Sequence, residues 1–343
     1  MISMEAKRKK LIIIISLSLV VAAAIIIPVT LILLKAPFNT TELGQISTGG
    51  EARDAKIEGD IAYVVDTGGE SSPGGLVIIN VSNPYHPSII GSYYQSGLPF
   101  KVDVAGNIAV LANINVGVEI VNISDRENPI KIDQYTGSGE AYDVQIIGEI
   151  AYISDWSRGL VLLDISDPTD VSEISRFSIT GACTQLHVVN DIAYITDHHG
   201  SYTAIRLIDV NNPHSMSQVG YYSLDNVDFW NPYVCDDVIF VANHGTSGGE
   251  FYFLDASNYS QITQIRQFND ERFINAAFIN NSIGYFALYE SGLIVVDLLD
   301  LSNPRIIGRH FDGGHAIDVE VVGDIAYVAD REDGLEIIKI MNI

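Results

Sequence analysis

Three aspartates, Asp54, Asp143 and Asp318, stand at matching places in units that recur along the chain. Carboxylates brought to one axis by such a recurrence would suit a hard cation such as calcium, which takes about six to eight oxygen ligands. The matching places in the other units hold Lys101, Gln185, Asn231 and Ala276. A lysine among the carboxylates brings its own positive charge, so the commoner role for such a set is to satisfy backbone groups and water in a channel. Calcium is therefore the one metal weighed at Asp54, Asp143 and Asp318, and otherwise no cofactor is expected.

A second group with chemical capacity is richer in aromatic, basic and imidazole side chains: Trp156, Arg158, His198, His199, Trp230, His244, Arg272 and His315. Aromatic and arginine side chains dominate recognition hot spots. His198, His199 and His244 would offer imidazole to zinc or copper, although their spacing matches no compact metal motif. His187 reads as a satisfied core histidine. Gly245-Thr246-Ser247-Gly248-Gly249 has the Gly-x-Ser-x-Gly pattern without the strand, turn and helix that a nucleophile elbow needs. Asp330-Arg331-Glu332-Asp333-Gly334 carries only a fragment of a calcium loop. No Cys-x-x-Cys pair and no phosphate-cradling glycine loop is present, so no catalytic residue is assigned. The chemistry points to a binding module, with a metal-dependent hydrolase or lyase built on the three carboxylates as the alternative.

The elements that must position these residues come from the repeat. Ile-Ala-Tyr recurs at Ile61, Ile150, Ile192 and Ile325, with weaker copies starting at Ile108, Val238 and Ile283. An apolar run closed by a polar residue follows each, as in Leu160-Val161-Leu162-Leu163-Asp164. One unit reads as strands Asp143 to Ile147, Ile150 to Asp155, Leu160 to Asp164 and Ser172 to Phe177, separated by glycine and Ser-Asp-Pro turns. Four short antiparallel strands per unit make a propeller blade. A unit this small cannot bury its own apolar faces and must stack on its neighbours.

Seven anchors predict an all-β, seven-bladed β-propeller of four-stranded antiparallel blades. The last unit ends after its third strand, and Glu42-Leu43-Gly44-Gln45-Ile46 matches the fourth-strand pattern of Ile90-Gly91-Ser92-Tyr93. An N-terminal strand is therefore expected to close the ring. Loops between second and third strands share a face with loops between blades, and that face should carry the aromatic and histidine group.

The units resemble LVIVD repeats, whose pattern joins Ala-Tyr-Val-Ala, a Gly-Leu before the apolar run and Asp-Ile-Ser-Asn-Pro after it. Ala326-Tyr327-Val328-Ala329, Gly159-Leu160 and Asp164-Ile165-Ser166-Asp167-Pro168 carry the match, which extends over nearly everything after residue 42. The fifth and sixth units depart most, with Ala256-Ser257-Asn258-Tyr259 lacking the proline and Leu288 replacing the usual Asp or Asn. The resemblance implies a propeller of a secreted or surface protein, and no particular activity.

The first 35 residues are of another kind. Lys7, Arg8, Lys9 and Lys10 precede an uncharged apolar run from Leu11 to Leu34, long enough as a helix to span about 36 Å. Residues 1–10 read as a cytoplasmic basic tail, 11–34 as a transmembrane signal anchor, 35–42 as a stalk and 43–343 as the propeller, placed outside the cytoplasm by the basic flank. Pro28 would kink the span without breaking it. With the five basic residues and one glutamate of the first 35 set aside, the remainder holds 14 Lys and Arg against 42 Asp and Glu. Such a surface repels nucleic acid; the expected partner is an extracytoplasmic protein or glycan.

Sequons at Asn39, Asn80, Asn122, Asn258 and Asn280 suit an outward placement and a glycoprotein, although Asn80 and Asn122 also read as turn caps. Cys183 and Cys235 fall at opposite ends of equivalent innermost strands, roughly 20 Å apart along the axis. This is beyond the reach of a disulfide, so both are expected as buried free thiols.

Overall fold

The computed structural model describes residues 39–69, 72–94, 97–137, 139–200, 202–244, 249–269, 273–311 and 313–341. Within them lie seven four-stranded antiparallel sheets. In the third blade the strands are Ala141–Ile147, Ile150–Asp155, Gly159–Asp164 and Ser172–Phe177, running in chain order from the channel to the rim. The expected β-propeller is the observed fold.

The packing explains why the units must stack. Each buried apolar cluster draws its side chains from two neighbouring blades. Ile153 and Val161 of the third blade meet Val110 and Ile120 of the second, while Tyr152 and Leu162 turn the other way to meet Cys183, Ile195 and Ile208 of the fourth. Period-two alternation along the middle strands sends successive residues to opposite neighbours, so both faces of every sheet are buried and the middle strands read as continuous apolar runs.

The seventh blade is completed across the chain's ends. Its strands Ala316–Val322, Ile325–Asp330 and Gly334–Met341 are joined by Asn39–Ile46 on the outside, with Glu42 opposite Ile338 and Ile46 opposite Leu335. This strand begins at Asn39, so the propeller takes in part of what the sequence assigned to a stalk at 35–42. The glycine of the fourth-strand pattern has a packing cause. A Cβ on Gly44 would press on the Pro84 carbonyl, and one on Gly91 on the Arg126 carbonyl, each in the turn of the following blade.

The Ser-Asn-Pro and Ser-Asp-Pro turns also have one cause. Asn80, Asn122 and Asp164 accept the amide of the residue two further on, Ser82, Ser124 and Ser166, each at 2.9 Å; these are Asx turns. Asp330-Arg331-Glu332-Asp333-Gly334 is a turn between strands, closed by the Asp333 amide on the Asp330 carbonyl at 2.7 Å.

Cys183 and Cys235 are both free thiols, Cys183 buried and Cys235 only half-buried, which corrects the expectation of two buried ones. The proposed span 11–34 lies outside the described residues, among which no helix is long and apolar enough to cross a membrane.

Candidate functional site

The innermost strands carry the site. Those of the first, second, third and seventh blades enter the channel after a β-bulge, seen where register slips between Ala52 and Asp54, Pro99 and Lys101, Ala141 and Asp143, and Ala316 and Asp318. Bulges re-aim a side chain. Here the extra residues, Arg53, Phe100, Tyr142 and Ile317, join the wall of a funnel of about 270 Å³ at the mouth of the channel, with Trp230 and His244 across from them.

The rim is continuous through its first three blades. Arg53 lies over the Phe100 ring at 5.4 Å, Phe100 meets Tyr142 edge-on at 5.5 Å, and Tyr142 leans on Trp156 at 5.4 Å. Trp156 is 42 % exposed. On the opposite wall Trp230 stacks on His244 at 5.0 Å and 8°, with His198 edge-on to Trp230 at 5.7 Å. Reading loops alone passes over Arg53, Phe100 and Tyr142. Their signal was present, since each immediately precedes a member of the polar column Asp54, Lys101 and Asp143.

That column forms the floor. Lys101 Nζ lies 2.7 Å from Asp54 Oδ1 and 3.2 Å from Asp318 Oδ1, so the cation held among these carboxylates is the lysine. Asp54 Oδ2 accepts the Val102 amide at 2.9 Å. Asp143 accepts the amides of Val144 and Leu186 at 2.7 and 3.0 Å. One ring deeper, Asp103 takes the Ile146 amide, Glu320 that of Ile57, Gln145 that of Val188 and His187 that of Val234. In the seventh, first, second, third and fourth blades polar residues of the innermost strand thus cap amides of the next blade, while Tyr233 of the fifth donates to the Ile279 carbonyl of the sixth, which is how the channel-side edges are protected. Asp54, Asp143 and Asp318 are brought together as expected, with Lys101 and backbone amides as their partners.

Electrostatics follow from burial. Desolvation raises Asp143 to about 6 and Asp318 to about 7, against the pull of Lys101. Burial alone would lower Lys101, but Asp318, Asp54 and Asp143 together hold it well above the ordinary lysine value. Burial pushes His187 down to about 4, and its Nδ1 accepts the Val234 amide at 2.8 Å; it is satisfied as expected, but it lines the channel and is not part of the core.

Below the floor lies a cavity of about 550 Å³ with two unlike sides. The seventh, first, second and third blades line it with Glu320, Lys56, Asp103 and Gln145, and Lys56 reaches Asp103 at 3.5 Å and Glu320 at 3.7 Å. The fourth, fifth and sixth blades present His187, Tyr233 and Phe278.

The remaining loop-face candidates separate. Arg158 is committed to the structure, donating to the Tyr135 hydroxyl at 2.7 Å and the Gly137 carbonyl, with Glu173 at 3.4 Å. His198 uses both nitrogens, Nδ1 with Asp228 at 2.8 Å and Nε2 with Thr184 at 2.7 Å. His199 turns to Asp197 at 3.0 Å and stacks on Tyr202, and His244 Nε2 donates to the Ile274 carbonyl at 3.0 Å. The three imidazoles point to different partners and do not converge on a shared ion. His315 packs on Tyr289 and contacts Glu332 at 3.0 Å. Arg272 lies outside the described residues.

The LVIVD repeat model matches residues 49–95, 138–178 and 313–342, which cover the first and third blades and the part of the seventh that follows the sixth. These three stretches of the chain carry LVIVD repeats. The matched stretches supply Arg53 and Asp54, Tyr142 and Asp143, and Asp318, so they contribute all three aspartates of the floor and part of the rim. Two solved structures share the propeller fold. One is Sqt1 of Saccharomyces cerevisiae, with a TM-score of 0.63 at 9% identity over 89% of this chain and 100% of that one. The other is the computationally designed protein Ika8, with a TM-score of 0.60 at 11% identity over 88% and 99%. At such identities the likeness concerns the fold alone. No curated protein matches this chain in sequence.

Proposed function

We propose that this LVIVD propeller is a binding module that presents its loop-rich face to an extracytoplasmic protein or glycan, tethered to the membrane through residues 11–34. The observation that carries the reading is the rim Arg53, Phe100, Tyr142 and Trp156, a contiguous cation and aromatic arc over a polar floor. Flat aromatic faces beside amide and imidazole groups suit a sugar ring or a peptide side chain, and about 270 Å³ admits one such group at the small end of ligand pockets. The basic cluster before an apolar run, the acidic remainder and the sequons support the outward placement.

The test is proximity labelling in cells with the full chain, alongside a Tyr142→Ala/Trp156→Ala variant and protease shaving of intact cells. A partner set lost with the rim variant, and a propeller digested from outside, are the expected results. The same partners labelled by both proteins would sink the rim as the binding surface, and a propeller protected from external protease would sink the placement.

A further inference from the structure

The ring closure contains a cluster that the funnel does not use. Glu336 lies in the buried third strand of the seventh blade, Glu42 in the N-terminal strand paired with it, and His310 at the end of the sixth blade's outer strand Arg305–His310. Their ligand atoms all lie within 4.8 Å of one another, and His310 Nε2 is 2.7 Å from Glu336 Oε1. Glu336 is 1 % exposed, whereas Glu42 is exposed.

The repeat supplies its own control for what this cluster needs. Glu119 occupies in the second blade the place of Glu336 in the seventh, because Glu119 pairs with Leu111 and Gln134 as Glu336 does with Val328 and Gln45. Tyr93, opposite Leu76, stands where His310 stands opposite Leu293, and its hydroxyl reaches Glu119 at 3.2 Å. Lys131, opposite Val121, stands where Glu42 stands opposite Ile338, and its ammonium lies 3.2 Å from Glu119 Oε1. In the second blade the buried glutamate therefore receives a cation from its own outer strand. At the closure the same position holds a second carboxylate, and the phenol is replaced by an imidazole.

We infer that Glu42, His310 and Glu336 form a binding site for a divalent transition-metal cation of the zinc type, which staples the closing strand to the sixth and seventh blades. One imidazole and two carboxylates are a donor set that zinc accepts at about 2.0–2.2 Å with water completing the shell; the imidazole selects against calcium and magnesium, which take oxygen. Glu336 and His310 are held by packed strands, and the Glu42 carboxylate already lies within 4.8 Å of both. Binding requires unprotonated Nε2, so affinity falls as acid protonates His310.

The probe is ZnCl₂, titrated into the full chain after chelator treatment, with CaCl₂ as the contrast. Zinc is expected to raise the melting temperature saturably and to slow hydrogen exchange in residues 39–46, while calcium at equal concentration does neither. Glu42→Gln should weaken zinc at least tenfold and leave the fold intact, since residue 42 is exposed. Glu42→Lys copies the second blade and should abolish the zinc response while raising the zinc-free melting temperature. Cobalt should give tetrahedral-range absorption in the wild type and lose it in His310→Gln. No saturable zinc effect on the wild type, or a zinc response that persists in Glu42→Lys, would overturn the assignment.

Discussion

Lys101 Nζ sits 2.7 Å from Asp54 Oδ1, and the amide of the residue after the lysine, Val102, lies 2.9 Å from the other oxygen of the same carboxylate. One aspartate of the first blade thus holds both side chain and backbone of the second, and the lysine passes the attraction on to Asp318 of the seventh.

Lys101→Met is expected to destabilise the propeller by about 3 kcal/mol or more, since removing one partner of a buried ion pair leaves uncompensated charge. Urea unfolding measures it through a lower midpoint. A midpoint within error of wild type would show that Asp54 and Asp318 are satisfied without the ammonium.

Asp318 titrates at about 7 and Asp143 at about 6, both raised from 3.8 by burial. A group raised in the folded state contributes stability fully present below the unfolded value, and loses it as pH rises through the folded value. Asp143 should therefore erode stability between about pH 4 and 6, and Asp318 between about pH 4 and 7, each by at most about 1.4 kcal/mol per pH unit. Asp318→Asn should gain on wild type over that window and match it near pH 4. His187, lowered to about 4, acts in the opposite sense as pH falls from 6.5, and it cancels in the comparison. Parallel stability curves for the two proteins would refute the assignment to Asp318.

Gly91→Ala drives a methyl into the Arg126 carbonyl of the next blade, and overpacking of this kind costs about 1–3 kcal/mol. Gly139, with open space around the position of a Cβ, is the control; its alanine variant should unfold with wild type. Equal midpoints for both variants would mean that the blades part readily at this contact.

Cys183 is buried and Cys235 half-buried, and burial raises both thiols above the ordinary value. Iodoacetamide at pH 7.5 is expected to label Cys235 slowly and Cys183 only after unfolding, with intact mass under non-reducing conditions showing no intramolecular bond. Faster labelling of Cys183 would contradict its burial among Leu160, Leu162 and Val188.

Trp156 is exposed on the rim, while Trp230 is stacked on His244. Acrylamide should quench part of the emission strongly, and Trp156→Phe should leave a blue-shifted, quench-resistant remainder. An unchanged quenching curve in that variant would place the accessible indole at Trp230.

What the residues determined alone was the architecture and its register. The Ile-Ala-Tyr anchors, the apolar runs and the closing segment around Gly44 are local patterns whose period dictates stacking, and the same register placed Asp54, Lys101, Asp143 and Asp318 on one ring. Strand period and turn chemistry are short-range physics and can be read along the chain. Only the tertiary structure decided which groups meet. It turned His198, His199 and His244 toward three different partners, committed Arg158 to Tyr135, and re-aimed Arg53, Phe100 and Tyr142 into the funnel through bulges. It also brought Glu42 beside His310 and Glu336 from opposite ends of the chain. Those outcomes depend on distances between blades and on which amide lacks a strand partner, and both exist only after the ring has closed.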